Sequence, residues 1–136
     1  MFYYALNILF ISLLTLKPKE RVMPHCIIEY SEKLTEQVEV EQFLSVVFKG
    51  ALRSKLFDKS DIKARAVSYV AHKTGADNQD FIHVTVKILA GRTAEQRAHL
   101  STCVLQQLNN LDLSSVSLSV EICDIDTESY RKVMIK

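Results

Sequence analysis

The chain has 136 residues, 48% hydrophobic and 24% charged, the balance of an ordinary globular domain. Its net charge of +1 lacks the basic excess that nucleic-acid binding favours, and 3 Gly and 2 Pro exclude collagen-like or linker-rich chains. Cys26, Cys103 and Cys123 are odd in number and widely spaced; they suit a reducing compartment better than a zinc site or a disulfide framework.

Residues 1–22 do not belong with the rest. Phe2 to Leu16 is apolar except for Asn7, Ser12 and Thr15, and it is shorter than the roughly 20 residues a bilayer span needs. No basic residue precedes it, so it makes a poor secretory signal. The basic stretch Lys17 to Arg21 comes next, and would favour a cytoplasmic body if the run entered a membrane. Three readings stand: a weak anchor or partner-contacting helix, an extra helix packed on the domain, or sequence read from an upstream start with Met23 as initiator. The residues after Met23 favour the third, leaving residues 24–136 as the domain and a membrane partner disfavoured.

Pro24 to Tyr30 (PHCIIEY) alternates Cys26, Ile28 and Tyr30 with His25, Ile27 and Glu29, which predicts a strand. From Val40 the period changes. Val40, Phe43, Leu44, Val47, Phe48, Ala51 and Leu52 recur at helical spacing, with Gly50 a mild weakness. Ile62 to His72 returns to strand character, and Lys73 to Asn78 reads as a loop.

The second half repeats the order. Phe81 to Leu89 places Ile82, Val84, Val86 and Ile88 on one face. After Ala90-Gly91-Arg92, Thr93 with Gln96 reads as a capping box. Its helix is expected to run to about Leu111, with Ala94, Ala98, Ser101, Val104, Leu105, Leu108 and Leu111 inward. Val116 to Ile125 is the last strand, and Tyr130, Val133 and Ile135 in the tail can pack on a neighbour. The fold class is therefore α+β: duplicated β-α-β units forming a four-stranded mixed sheet with two helices on one face. The uncovered face suggests oligomerisation.

There is no GxGxxG, P-loop or GxSxG, and His25, His72, His83 and His99 show no metal-ligand spacing. Glu29 is a minor candidate. Two features rise above this background. Met23-Pro24-His25 puts a proline after a possible initiator. With Met23 removed, Pro24 carries a secondary amine; an α-amino group has pKa about 7.7–8.0 in water, and apolar or cationic surroundings lower it toward a useful general base. An internal proline has an amide nitrogen with no such basicity. The second feature is Ala90-Gly91-Arg92-Thr93 between strand and helix, where Arg92 can clamp a carboxylate.

At these residues the sequence resembles the 5-carboxymethyl-2-hydroxymuconate delta-isomerase family of the tautomerase superfamily. The matching segments are Pro24 to Ser31, Ile62 to Arg65, Phe81 to Arg92 and Leu118 to Glu121. The resemblance implies a cytoplasmic homotrimer without metal or organic cofactor, acting on a small carboxylate in bacterial homoprotocatechuate breakdown. It implies Pro24 as general base and Arg92 as a carboxylate-binding residue. The family's second arginine falls at Lys63; lysine keeps the charge but loses the planar fork. Arg65, on the same strand face, is the alternative substitute. The competing reading is a non-catalytic trimeric binding or interaction protein on the same scaffold.

Overall fold

The computed structural model describes residues 23–136; the three readings of residues 1–22 concern a segment outside that range. Six main elements occur in order: β1 (His25–Ser31), α1 (Val40–Arg53), β2 (Lys63–Tyr69), β3 (Asp80–Leu89), α2 (Ala94–Asn109) and β4 (Val116–Ile125). Short 3-10 turns at Glu32–Glu36 and Lys59–Asp61 complete the chain path. The four strands form one sheet in the order β2-β1-β3-β4. β1 runs parallel to β2 and antiparallel to β3, and β3 runs parallel to β4. Each parallel pair closes one β-α-β unit, and the antiparallel seam joins the two units.

Period-2 alternation selects the core face. Cys26, Ile28 and Tyr30 of β1 and Ile82, Val84, Val86 and Ile88 of β3 are buried, beneath Phe43, Val47 and Ala51 of α1 and Leu100, Val104 and Leu108 of α2. Each helix opens with a capping box that satisfies its first free amides: Glu39 with Gln42, and Thr93 with Gln96 as the sequence predicts.

Gly50 has a packing role that its helix propensity conceals. A Cβ at this position would lie 2.7 Å from the Val104 Cα and 3.0 Å from the Cys103 carbonyl oxygen. Only glycine lets α1 and α2 approach this closely. Gly91 sits at φ +125°, which L side chains rarely adopt, and turns the chain from β3 toward α2.

Three expectations need correction. β2 ends at Tyr69 rather than His72, because its partner strand ends at Ser31, opposite Tyr69. The first strand begins at His25 rather than Pro24; Pro24 has no N–H to enter a ladder, although its carbonyl accepts from Lys63 N at 3.1 Å. The buried stripe of α2 is Leu100, Cys103, Val104, Gln107 and Leu108, while Ala94, Ala98 and Leu105 are exposed. Polar Gln107 lies within the stripe and disguises its period.

Candidate active site

The open face of the sheet carries the other half of each alternation. Register places His25 beside Lys63 on β2 and Lys87 on β3, and Ile27 beside Arg65 and Thr85. Lys63 and Arg65 thus share a face with His25, immediately after Pro24. Arg65 Nη1 lies 3.2 Å from His25 Nδ1. On the other side of the imidazole, Nε2 lies 3.2 Å from the Tyr130 hydroxyl, with the two rings at 67°.

The tail supplies a further cation. Lys132 Nζ stands 4.0 Å from the Asp61 carboxylate. Burial and then the neighbouring Lys132 charge hold the Lys63 ammonium below its ordinary value of 10.5. Burial is also the leading cause that lowers the His25 pKa from 6.5; the charges of Arg65, Lys63, Lys132 and Lys87 add to it. His25 is therefore a neutral imidazole at pH 7, within a set of cations.

A groove of about 970 Å³ runs past this end of the sheet, with Asp61 and Lys63 on one side, Leu89 on the other and Tyr130, Lys132 and Met134 along the tail. Of the sequence-derived site residues the groove is lined by Lys63 and not by Pro24, Arg65 or Arg92; because β1 lies between β2 and β3, it passes the end of β1 at which Pro24 stands. Pro24 and the preceding Met23 are both buried. A separate hollow lined by Tyr69, His72, Thr74 and Asp80 lies at the opposite end of β1 and holds none of the sequence-derived site residues.

Arg92 follows β3 at the same end as Pro24, on the helix side. Its Nη2 donates to the Leu56 carbonyl at 2.7 Å, and its guanidinium lies 5.4 Å from the centre of the Phe57 ring. Lys63 and Arg65 converge on His25, whereas Arg92 is engaged with the loop after α1. Glu29 accepts from the Tyr69 hydroxyl at 2.5 Å, four residues along β1 and so about 13 Å from His25. It does not join the Pro24 end.

The cysteines lie apart from this chemistry. Cys26 is in the core, where burial pushes its thiol up to about 12. Cys123 donates to Glu121, which raises its pKa. His72 stacks edge-on against Phe81, and His99 lies 3.5 Å from the Cys103 sulfur.

Sequence reasoning alone misses His25, Tyr130 and Lys132 as site residues. The tail has no periodicity, so its return to β1 leaves no pattern to read. The one available signal is a phenol and two cations together in Tyr130-Arg131-Lys132.

Among the described residues no helix is long and apolar enough to cross a membrane. A search of curated protein sequences finds no match. Solved structures do match. A 5-carboxymethyl-2-hydroxymuconate isomerase from Deinococcus radiodurans R1 is 21% identical with a TM-score of 0.69, over 84% of this chain and 90% of that one. A 5-carboxymethyl-2-hydroxymuconate delta-isomerase is 17% identical with a TM-score of 0.70, over 85% and 90%. A fused 4-OT described as a symmetric trimer is 18% identical with a TM-score of 0.60, over 75% and 85%. At these identities the likeness establishes the tautomerase-type fold. The profile of the 5-carboxymethyl-2-hydroxymuconate isomerase family matches residues 24–136, and the chain belongs to that family of isomerases.

Proposed function

We propose that residues 24–136 form an isomerase domain that moves a double bond in an unsaturated hydroxy di- or tricarboxylate, of the 5-carboxymethyl-2-hydroxymuconate type, using Pro24 as its base. Removal of Met23 converts the Pro24 nitrogen from an amide to a secondary amine. It also vacates the volume that the buried Met23 side chain fills. The neutral amine accepts a proton from one end of the conjugated system. The resulting prolinium returns it to another carbon, so the enzyme ends each turnover unchanged. Lys63 and Arg65, with Arg92 from the helix side, hold the carboxylates and offset the negative charge that develops on the enol oxygen. No metal or organic cofactor enters this scheme.

The observation that carries this reading is the crowding of Lys63, Arg65, Lys87 and Lys132 around a neutral His25 beside Pro24. Such a set favours an anionic ligand and disfavours the protonated amine. We also propose a cytoplasmic homotrimer. The edge strand β2 leaves Val67 and Tyr69 exposed, and the tail exposes Val133, Met134 and Ile135, apolar surface that a neighbouring subunit would cover.

The test is mass spectrometry of the native amino terminus, followed by ketonisation of phenylenolpyruvate and of hydroxymuconates. A chain that begins at Pro24 and turns these over, with kcat reduced about 100-fold or more in Pro24→Ala, is the expected outcome. An active chain that retains residues before Pro24 would exclude the proline base. The engagement of Arg92 with Leu56 and Phe57 favours the second reading, a trimeric binding protein. A folded trimer with a verified Pro24 terminus and no rate above buffer would select it.

A further inference from the structure

The contact between Arg65 and His25 determines where the imidazole proton resides. A guanidinium has donors and no acceptor. His25 Nδ1, 3.2 Å from Arg65 Nη1, must therefore accept, and in the neutral ring the proton sits on Nε2. That N–H points at the Tyr130 oxygen, 3.2 Å away, and the phenol oxygen accepts from it. The phenol's own proton is then not used by His25. It is free to be donated to a third group, on the side of the groove that also holds Lys63 and Lys132.

The tail is folded so as to present this hydroxyl. Tyr130 N donates to the Asp126 carbonyl at 3.2 Å, and Arg131 Nη1 donates to the Glu128 carbonyl at 2.7 Å. Lys132 faces Asp61 at 4.0 Å. These contacts fix the residues on both sides of Tyr130, and the His25 bond holds its ring at the groove.

We propose that Tyr130 donates a hydrogen bond to the enol oxygen of the substrate as negative charge develops there, and that His25, its tautomer set by the Arg65 contact, is a positioning residue that orients the phenol for this task. The inference deepens the isomerase reading and rests on it. An oriented neutral donor complements the cations: lysine and arginine bind the carboxylates in ground state and transition state alike, whereas a donor aimed at the enol oxygen acts most where the charge grows.

The test uses protein expressed from the full reading frame, with the amino terminus read by mass spectrometry. Tyr130→Phe should lower kcat about 10- to 100-fold with KM changed less than threefold, since removing one oxyanion donor acts on the transition state. His25→Gln, whose amide N–H can stand in for Nε2–H, should retain most of the activity. His25→Leu should lose about as much as Tyr130→Phe, and the double variant should lose no more than either alone. Nitrogen-15 NMR of the free protein should find the His25 proton on Nε2 at neutral pH. Tyr130→Phe with kcat within twofold of the parent, or with a change confined to KM, would overturn the proposal while leaving the isomerase reading intact. A His25 proton on Nδ1 would do the same. A parent protein that begins at Pro24 and turns over neither substrate would remove both.

Discussion

Two histidines on the open face of the sheet have opposite surroundings. His25, at the Pro24 end, is bracketed by Arg65 and Tyr130 and faces four cations. His83, near the other end of β1, is bracketed by Ser119 at 2.7 Å and the Glu121 carboxylate at 2.5 Å. Both rings have two partners, yet only the His83 neighbourhood sets a carboxylate against the ring. At His83 the acid is already matched, and its pKa is lowered chiefly by the hydrogen bond from His83. At His25 positive charge accumulates, with Asp61 facing Lys132 as its nearest answer. A compensated cluster serves the scaffold. Under the isomerase proposal, the anionic substrate completes the uncompensated one.

The largest effect expected from this contrast is on substrate binding. Replacing both Lys63 and Lys132 by methionine should raise KM for a hydroxymuconate about 100-fold, from two charge-assisted contacts of roughly 1.5 kcal/mol each. Tm should change little, because relief of two crowded cations is offset by loss of the Lys132–Asp61 pair. A fall in Tm without a change in KM would place these lysines with the scaffold and collapse the distinction between the two ends.

The pH dependence of stability gives a second, smaller separation. His25 has its pKa lowered below 6.5 in the folded chain, so the unfolded chain binds its proton first. Its contribution is complete above pH 6.5 and is lost as pH falls from there through the folded value. Glu121 is lowered from 4.5, so its contribution is complete above pH 4.5 and is lost only in more acid solution. Denaturant titrations across pH should show the first loss abolished in His25→Gln and the second abolished in Glu121→Gln. The smallest effect is that of Glu121→Gln at neutral pH. A slight fall in Tm with unchanged kcat/KM is expected, since the pair is largely exposed; a large drop in activity would make the His83 end part of the site.

Much of the architecture is legible in the sequence because it is written in local periods. Strand alternation in Phe81–Leu89 and Val116–Ile125, and the Thr93/Gln96 box, each need fewer than a dozen residues to be read. The face of α2 escapes such a reading because packing against Gly50 selects a stripe that contains Gln107. The site divides in the same manner. Pro24 and Arg92 lie at strand ends where local chemistry singles them out, whereas Lys63 and Arg65 become candidates only through the family resemblance. Tyr130 meets His25 across 105 residues, and no short-range pattern encodes that meeting. β2 stops at Tyr69 because the length of a different strand limits it, which is likewise a long-range fact.

The bare backbone at Gly50 is remote from any reaction, but it governs how far the two helices stand apart. The loop leaving α1 presents the Leu56 carbonyl, and the turn entering α2 carries the arginine that donates to it. Widening the gap with a methyl group at residue 50 therefore changes the anchorage of Arg92 as well as the core. Under the carboxylate-holding role proposed for Arg92, a position with no functional group would then show up in a library of variants as a tuner of substrate affinity.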